Sequence, residues 1–382
     1  MPEKIPHWRL SGFYFFHFAF IGAFTPYWSL YLKSLDFSAL QIGILMSVLQ
    51  GMRIFAPNLW GWQADRTGKR MGIVRITAFF SLIAYLGVFY SKDFSWLLAV
   101  MMLMSFFWSA SLPLVEATTL SHLKGSLEKY GVIRSWGSIG FIVAVAGLGH
   151  ILDHLPISSL LWAVLGFMTG ILFFSRAIPE ANDQPHETDS IPIWKILGKS
   201  EVIALFVSCL MMSAAHGPYY TFYSIYLVDH GYLKGSVGWL WSLGVICEIA
   251  VFFMMPKIMG RFSLKSILAF SLACAVVRFL LIGWGVNILL LLVFAQVLHA
   301  ATFGAHHAAA MAAIHHFFKG KHQAKGQSFY TSLAYGIGGT LGALGGGYAW
   351  GTFGPAYTFG LSSIAALIGL FWLLWKFRLS PG

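Results

Sequence analysis

Apolar residues in this chain form long, nearly continuous runs separated by short polar segments. About 20 apolar residues in a helix are enough to cross the hydrocarbon core of a bilayer. The runs therefore predict an all-α membrane protein with twelve transmembrane helices. They cover approximately residues 8–33, 38–62, 71–91, 94–120, 130–152, 157–177, 200–229, 235–259, 264–284, 286–317, 325–352 and 356–376.

One connection between these runs is long and polar. Residues 179–190 read PEANDQPHETDS, and their prolines and acidic side chains without a hydrophobic period are typical of a flexible linker. The linker separates six runs from six. We therefore predict an N-terminal six-helix half at 1–178, a linker at 179–198 and a C-terminal six-helix half at 199–382.

The two halves share a weak internal repeat. The segment WSLYL at 28–32 resembles YSIYL at 223–227, and QIG at 41–43 resembles SVG at 236–238 at the same offset. The matches keep the same order in both halves. This order predicts a parallel pseudo-repeat, an arrangement found in secondary transporters.

Composition and charge support a membrane protein. Hydrophobic residues make up 58% of the chain and charged residues 10%, against about 25% charged in soluble domains. The net charge of +11 could suggest a nucleic-acid partner. With the N-terminus inside, however, nineteen Lys and Arg lie in inner segments and three in outer loops, which is the positive-inside pattern. We expect membrane lipid and no nucleic acid as partners, a bacterial-type inner (plasma) membrane location, and cytoplasmic termini and linker.

The turn between the second and third runs carries the segment GWQADRTGKR at 61–70. It resembles the G-x-L-A-D-R-x-G-R-K signature of the major facilitator superfamily, with Gln63 in place of the usual leucine. The resemblance implies the fold of that superfamily and a gating role for the turn. Its glycines allow close backbone approach, and its aspartate can meet a helix N-terminus or an arginine. The gating residues are Gly61, Asp65, Arg66, Gly68 and Arg70.

Enzyme signals are missing from the sequence. No GxxxxGK[ST] phosphate loop is present, and the glycine run at 336–342 lies inside an apolar span with no strand before it. Because Gly338, Gly342 and Gly346 recur every four residues, we expect close helix packing there. His299 and His306 are seven residues apart and so share an α-helical face, but no carboxylate or cysteine has suitable metal-ligand spacing. We predict no enzymatic activity, no metal and no cofactor.

Five charged residues lie at membrane depth. Each costs ~2.5–3.5 kcal/mol at the centre of a lone helix, so such residues face a partner or a watery cavity. Ion pairs that only fix helix packing are the alternative. The five are Arg53, Glu116, Arg134, Glu248 and Arg278.

Two segments near these charges, LVEA at 114–117 and RSWGSIGF at 134–141, resemble the lactose permease branch. Arg278 and His299 are similar to an arginine and a histidine of that branch. The resemblance implies a substrate and proton site, to which we assign Arg53 and Glu248 as well. Two positions depart from the branch: Phe141 replaces a sugar-stacking tryptophan, and Thr302 replaces the proton-carrying glutamate.

Other segments look more like the phenylpropionate permease group, a relative of that branch. They are PYWSLYL at 26–32, Arg53 four residues before Pro57, and LGVICE at 243–248. This resemblance implies proton-coupled symport of a small organic solute, an aromatic carboxylate, into the cytoplasm by alternating access. The proton is the coupling ion, carried by Glu116 or Glu248.

Aromatic residues on the spans that line the cavity in this superfamily offer stacking surfaces for a ring. The candidates are Tyr31, Phe141, Tyr219 and Tyr223. A sugar or nucleoside proton symporter and a multidrug efflux antiporter remain alternatives. We expect a small-molecule substrate and a monomer that functions alone.

Overall fold

A computed structural model describes residues 5–123, 126–181, 194–319 and 322–378. All regular secondary structure in these ranges is helical, which confirms the predicted all-α class. The long helices are α1 (His7–Lys33), α2 (Ala39–Thr67), α3 (Arg70–Phe89), α4 (Phe94–His122), α5 (Lys129–His154), α6 (Ile157–Ala177), α7 (Ser200–Asp229), α8 (Lys234–Arg261), α9 (Leu264–Gly285), α10 (Leu289–Phe317), α11 (322–353) and α12 (Pro355–Lys376).

Ten of these helices are long and apolar enough to cross a membrane. The other two, α1 and α11, are of similar length, and α11 is rich in glycine. Residues 182–193, most of the predicted linker, lie outside the described residues. At the start of the linker the Met71 amide donates to the Glu180 carboxylate at 2.9 Å. At its end Trp194–Leu197 forms one helical turn.

The chain divides into two compact units. The first unit comprises Met1–Phe37, Phe55–His186 and Leu233–Trp239, and the second comprises Ser38–Ile54, Glu187–Tyr232 and Leu240–Gly382. The start of α2 thus belongs with C-terminal helices, and the start of α8 with N-terminal ones. The predicted boundaries at 178 and 199 stay predictions.

Helix α2 is interrupted where it passes from the second unit to the first. Its first part, Ala39–Met52, begins with a capping box between Ser38 and Gln41 and ends at Arg53. Pro57 lies in the first turn of the next part, Ala56–Thr67. Proline has no amide hydrogen and its ring clashes with the carbonyl four residues earlier, so the helix breaks before it.

Glycines set the packing of α7 against α11 in the second unit. A Cβ atom on Gly338 would lie 2.6 Å from the Leu210 carbonyl oxygen, and one on Gly346 would lie 3.0 Å from Pro218. A Cβ on Gly342 would collide with the Ala214 carbonyl oxygen. The four-residue glycine repeat therefore serves close helix packing, as predicted.

Replacing Gly342 by alanine is expected to destabilise the protein. The added methyl group would meet backbone, which cannot rotate away, and overpacking of this kind costs about 1–3 kcal/mol. The melting temperature of purified G342A in detergent should fall below that of the wild type. Gly345→Ala is the matched control, because no atom of the described residues lies within 4 Å of a Cβ there. Equal melting temperatures for the two variants would contradict the prediction.

Close backbone contacts also shape the first unit. A Cβ on Gly22 would lie 2.7 Å from the Phe141 carbonyl oxygen, so α1 and α5 approach closely. At the end of α5, the Asp153 carboxylate accepts hydrogen bonds from the Lys234 amide at 2.7 Å and the Gly235 amide at 3.0 Å. A carboxylate at this position satisfies free amides in the first turn of α8 and complements the helix dipole.

Candidate functional site

A charged pair joins α4 and α5 in the first unit. Arg134 Nε lies 3.6 Å from Glu116 Oε1, and the Tyr130 hydroxyl donates to the same oxygen at 3.3 Å. The Arg134 and Glu116 side chains are 31% and 35% exposed. Because a charge-assisted hydrogen bond is about 2.7–2.9 Å long, this ion pair is loose. The structure thus brings together two of the predicted site residues.

Aromatic rings of α1 lie against the Arg134 guanidinium. Its central carbon is 4.0 Å from the Phe18 ring centre and 5.6 Å from that of Tyr14, within cation–π range. A Cβ on Gly137 would lie 2.7 Å from Phe18 and 2.8 Å from Arg134 Nη1. Glycine at 137 therefore makes room for the guanidinium to rest on the phenyl ring.

Two predicted stacking residues in the first unit, Tyr31 and Phe141, are buried at 2% and 8% exposure. The Tyr31 ring centre lies 5.2 Å from that of Trp28. This burial and ring contact are typical of side chains packed in the protein core. A role for either ring in holding a solute stays a prediction.

The second unit contains a guanidinium that is completely buried. Arg278 of α9 is 0% exposed, and its Nε donates to the Ala295 carbonyl at 3.0 Å. Its Nη1 lies 3.1 Å from His216 Nε2 and 3.5 Å from Thr302 Oγ1. The guanidinium also rests over the Tyr219 ring at 4.2 Å. Arg278 is therefore held by neutral partners.

Several hydrogen-bond donors around Tyr219 have no partner among the described residues. They are Arg278 Nη2, Gln296 Nε2 and the Tyr223 hydroxyl, all on fully buried side chains. Gln296 Oε1 accepts from the Tyr219 hydroxyl at 2.9 Å, so only its amino group is unused. No described carboxylate forms an ion pair with Arg278. The cluster therefore has an excess of donors and positive charge.

Glu248 and His299 meet beside this cluster. His299 Nε2 lies 3.7 Å from Glu248 Oε2, and the side chains are 7% and 16% exposed. Glycines make room for both: a Cβ on Gly244 would lie 3.1 Å from the His299 ring, and one on Gly304 would lie 3.0 Å from Glu248 Cγ.

Arg53 contacts a separate polar group in the second unit. Its guanidinium lies 6.0 Å from the Tyr335 ring centre. His307 Nδ1 is 3.1 Å from the hydroxyls of both Tyr330 and Tyr335. A cavity of about 20 Å³, enough for one water molecule, lies between this group and His216.

Two π-helical segments occur beside these groups, at Ala300–Ala305 in α10 and Thr331–Gly338 in α11. Such segments are rare in proteins as a whole, and those that occur are often found at functional sites. The first carries Thr302 within reach of Arg278 and His216. The prediction that His299 and His306 share a face assumed α-helical spacing, which does not hold across this segment.

The glycines of the 61–70 turn differ in their roles. Gly68 follows the end of α2 and has φ +65°, in the left-handed region that favours glycine. No described atom lies within 4 Å of a Cβ built on Gly61, so the structure shows no close backbone approach there among the described residues.

The charged residues of that turn lie at its surface. Asp65 and Arg66 are exposed, and Arg66 rests over the Trp62 ring at 5.6 Å. Arg70 Nη1 lies 3.5 Å from Ser121 Oγ. The gating role assigned to these residues stays a prediction.

Three polar residues of the second unit were not placed in the site by sequence reasoning. His216, Gln296 and Thr302 contact Arg278 or its aromatic neighbour Tyr219. Their spacing along single helices carries no signal, because their partners lie on other helices. A polar residue in an otherwise apolar span is the weak sign that marks each of them.

Known proteins resemble this chain over most of its length. The probable 3-phenylpropionic acid transporter of Escherichia coli (strain K12) is 29% identical over 340 residues, covering 88% of this chain and 89% of that protein. The maltose permease of Geobacillus stearothermophilus is 26% identical over 272 residues, covering 70% and 68%. The crystal structure of the nucleoside transporter NupG has a TM-score of 0.83 at 17% identity, covering 99% of this chain and 100% of that chain. That likeness shows the fold alone.

The family model described as the MFS_1 like family matches residues 7–361. This match covers nearly the whole helical chain. It agrees with the all-helical fold, with the ten helices that are apolar enough to span a membrane, and with the transporters that the chain resembles. The protein is a multi-pass membrane transporter of the major facilitator superfamily, and it belongs to the MFS_1-like family.

Proposed function

We propose that this transporter is a symporter that moves a small aromatic carboxylate, such as a phenylpropionate-like acid, into the cytoplasm together with protons. The supporting observation is the buried Arg278 guanidinium, which has neutral partners and an unused Nη2. A buried cation without an anion is costly. A substrate carboxylate would supply the missing negative charge.

Neighbouring donors would complete the recognition of that carboxylate. The Gln296 amino group and the Tyr223 hydroxyl are buried and unused. Both lie beside Tyr219, whose ring centre is 4.8 Å from that of Tyr223. A guanidinium plane favours bidentate binding of a carboxylate, and two further donors would take the remaining lone pairs.

The aromatic part of the substrate has suitable neighbours in the same unit. Trp241 lies 4.6 Å from Tyr219 and 6.0 Å from Tyr220 between ring centres. Offset and edge contacts between rings contribute about 0.5–1.5 kcal/mol each beyond area burial. The relative named as a probable 3-phenylpropionic acid transporter supports an aromatic acid over other anions.

Proton coupling follows from the charge of such a substrate. An anion entering an electrically negative cytoplasm works against about 2.3 kcal/mol per 100 mV of membrane potential. Each proton carried with the anion cancels one negative charge and so removes that electrical cost. We place the protein in a bacterial-type inner membrane with cytoplasmic termini, where such a gradient exists, and we propose that it functions by alternating access as a monomer.

Proteoliposomes test this function directly. With a lower pH outside than inside, they should accumulate radiolabelled 3-phenylpropionate above the external concentration. A protonophore should abolish this accumulation. Liposomes without protein are the control for passive entry of the acid. Accumulation that is unchanged by the protonophore would show that protons do not drive it.

A sugar or nucleoside is the second candidate substrate. The Glu116 side chain is 35% exposed, and its contacts with described residues are 3.3 Å and 3.6 Å long, so its oxygens can accept hydrogen bonds from substrate hydroxyls. A thermal-shift screen separates the candidates, because a ligand that binds the folded state raises its melting temperature. We expect a shift with 3-phenylpropionate and none with maltose or uridine.

A further inference from the structure

The hydrogen bonds of His216 define its protonation state. Its Nδ1 lies 2.8 Å from the Met212 carbonyl oxygen, and its Nε2 lies 3.1 Å from Arg278 Nη1. A carbonyl oxygen only accepts and a guanidinium only donates. Nδ1 therefore carries the hydrogen, and Nε2 is an unprotonated acceptor. His216 is neutral, with its one basic atom engaged by Arg278.

This arrangement makes the proton and Arg278 competitors for one lone pair. A proton on Nε2 would remove the acceptor of Nη1 and put two cations 3.1 Å apart inside a buried cluster. Like charges at this distance strongly oppose each other. While the guanidinium lacks an anion, His216 cannot easily take up a proton.

We propose that His216 is the group that binds the transported proton, and that a substrate carboxylate on Arg278 is what allows it to do so. This inference rests on the proposed proton symport. The carboxylate neutralises the guanidinium and takes over its Nη1 donor, which frees Nε2. The proton then comes from water on one side and returns to water on the other when the carboxylate leaves.

Such an exchange couples the two ligands in both directions. If the anion favours protonation of His216, linkage requires that the proton favours anion binding by the same factor. The empty carrier and the carrier loaded with both ligands are then the favoured states. This condition is what a symporter needs to avoid a leak of either ligand alone.

Few other charged side chains near His216 could affect its protonation. Arg278 of α9 is the described charged side chain in contact with His216, and Glu248 of α8 contacts His299, whose ring centre lies 6.1 Å from that of His216. The other described polar side chains that contact His216 or line the cavity beside it are uncharged or are histidines: Cys209, Ser213, Tyr219, Tyr220, His299, Thr302, His306, His307, Tyr330 and Tyr335.

Thr302 of α10 lies against the same nitrogen of His216, with its Oγ1 3.3 Å from Nε2. Both residues line the cavity that has room for one water molecule. A water there would give the His216 Nε2 atom a source of protons that does not pass through apolar packing.

The test replaces His216 by glutamine, whose side-chain oxygen can still accept from Arg278 but cannot carry a proton. H216Q should lose proton-driven accumulation of 3-phenylpropionate and the uptake of protons by detergent-solubilised protein on substrate addition. It should keep counterflow exchange, which needs no net proton movement, within about threefold of the wild type. H216N is measured in the same way if H216Q does not fold.

The matched control is His230→Gln. His230 lies directly after α7 and makes the same contact, with Nδ1 2.8 Å from the carbonyl four residues earlier, but at the helix end. H230Q should behave as the wild type.

Protonophore-sensitive accumulation by H216Q would overturn the role of His216, and so would loss of its counterflow, which would indicate a binding role. Failure of the wild type itself to take up protons with substrate would instead refute the proposed symport.

Discussion

An Arg278→Gln variant is expected to lose uptake of 3-phenylpropionate by about 100-fold or more. The guanidinium is the one described cation among the side chains packed around Tyr219. Each charge-assisted hydrogen bond from it to a carboxylate contributes about 1.5–3 kcal/mol. Loss of two such bonds corresponds to at least two factors of ten. Initial uptake rates and binding by thermal shift should fall together.

The Arg278→Lys variant separates charge from geometry. Lysine keeps the positive charge but lacks the planar fork, whose Nε donates to the Ala295 carbonyl while its other nitrogens face His216 or a substrate carboxylate. We therefore expect R278K to recover little of the lost uptake. A melting temperature near that of the wild type without ligand is the control for folding. Full uptake in R278K would show that only the charge matters, and full uptake in R278Q would remove Arg278 from the substrate site.

An Arg134→Gln variant is expected to reduce uptake by about 10-fold to 100-fold, and a second change, Glu116→Gln, should restore part of it. Removal of one partner leaves the other charge uncompensated at membrane depth, which is costlier than removal of both. The comparison is a double-mutant cycle on uptake rates and melting temperatures. The two side chains form one described ion pair, so their effects should not add.

The outcome of this cycle also decides which arginine holds the substrate. If Arg134 itself bound the carboxylate, the double variant would be as inactive as R134Q alone. Recovery in the double variant would instead indicate that the pair sets the positions of α4 and α5. The wild-type contacts, 3.6 Å to Glu116 and 4.0 Å to Phe18, are compatible with either role before the measurement.

Much of the fold could be predicted because apolar length is a direct physical requirement of the bilayer. The helices follow the hydrophobic runs closely: the run at 200–229 became Ser200–Asp229, and the run at 157–177 became Ile157–Ala177. The break at Arg53 was not predicted. Pro57 signals it, but hydropathy does not change across the break.

The site could be predicted only as far as charge reveals it. Glu116, Arg134 and Arg278 stand out because ionised groups are expensive in a membrane. Gln296, His216 and Thr302 insert at lower cost and so give no comparable signal. The partners of Arg278 come from α7 and α10, and such pairings across helices depend on rotation and depth that one sequence does not reveal.

The π-helical segment at Ala300–Ala305 changes how residue spacing must be counted along α10. Hydrogen bonds in a π turn join residues five apart, whereas those in an α turn join residues four apart. The side chains after the segment are therefore turned relative to those before it, compared with a continuous α-helix. A mutational scan of α10 designed on a period of 3.6 residues would select the wrong face beyond Thr302, which lies inside the segment.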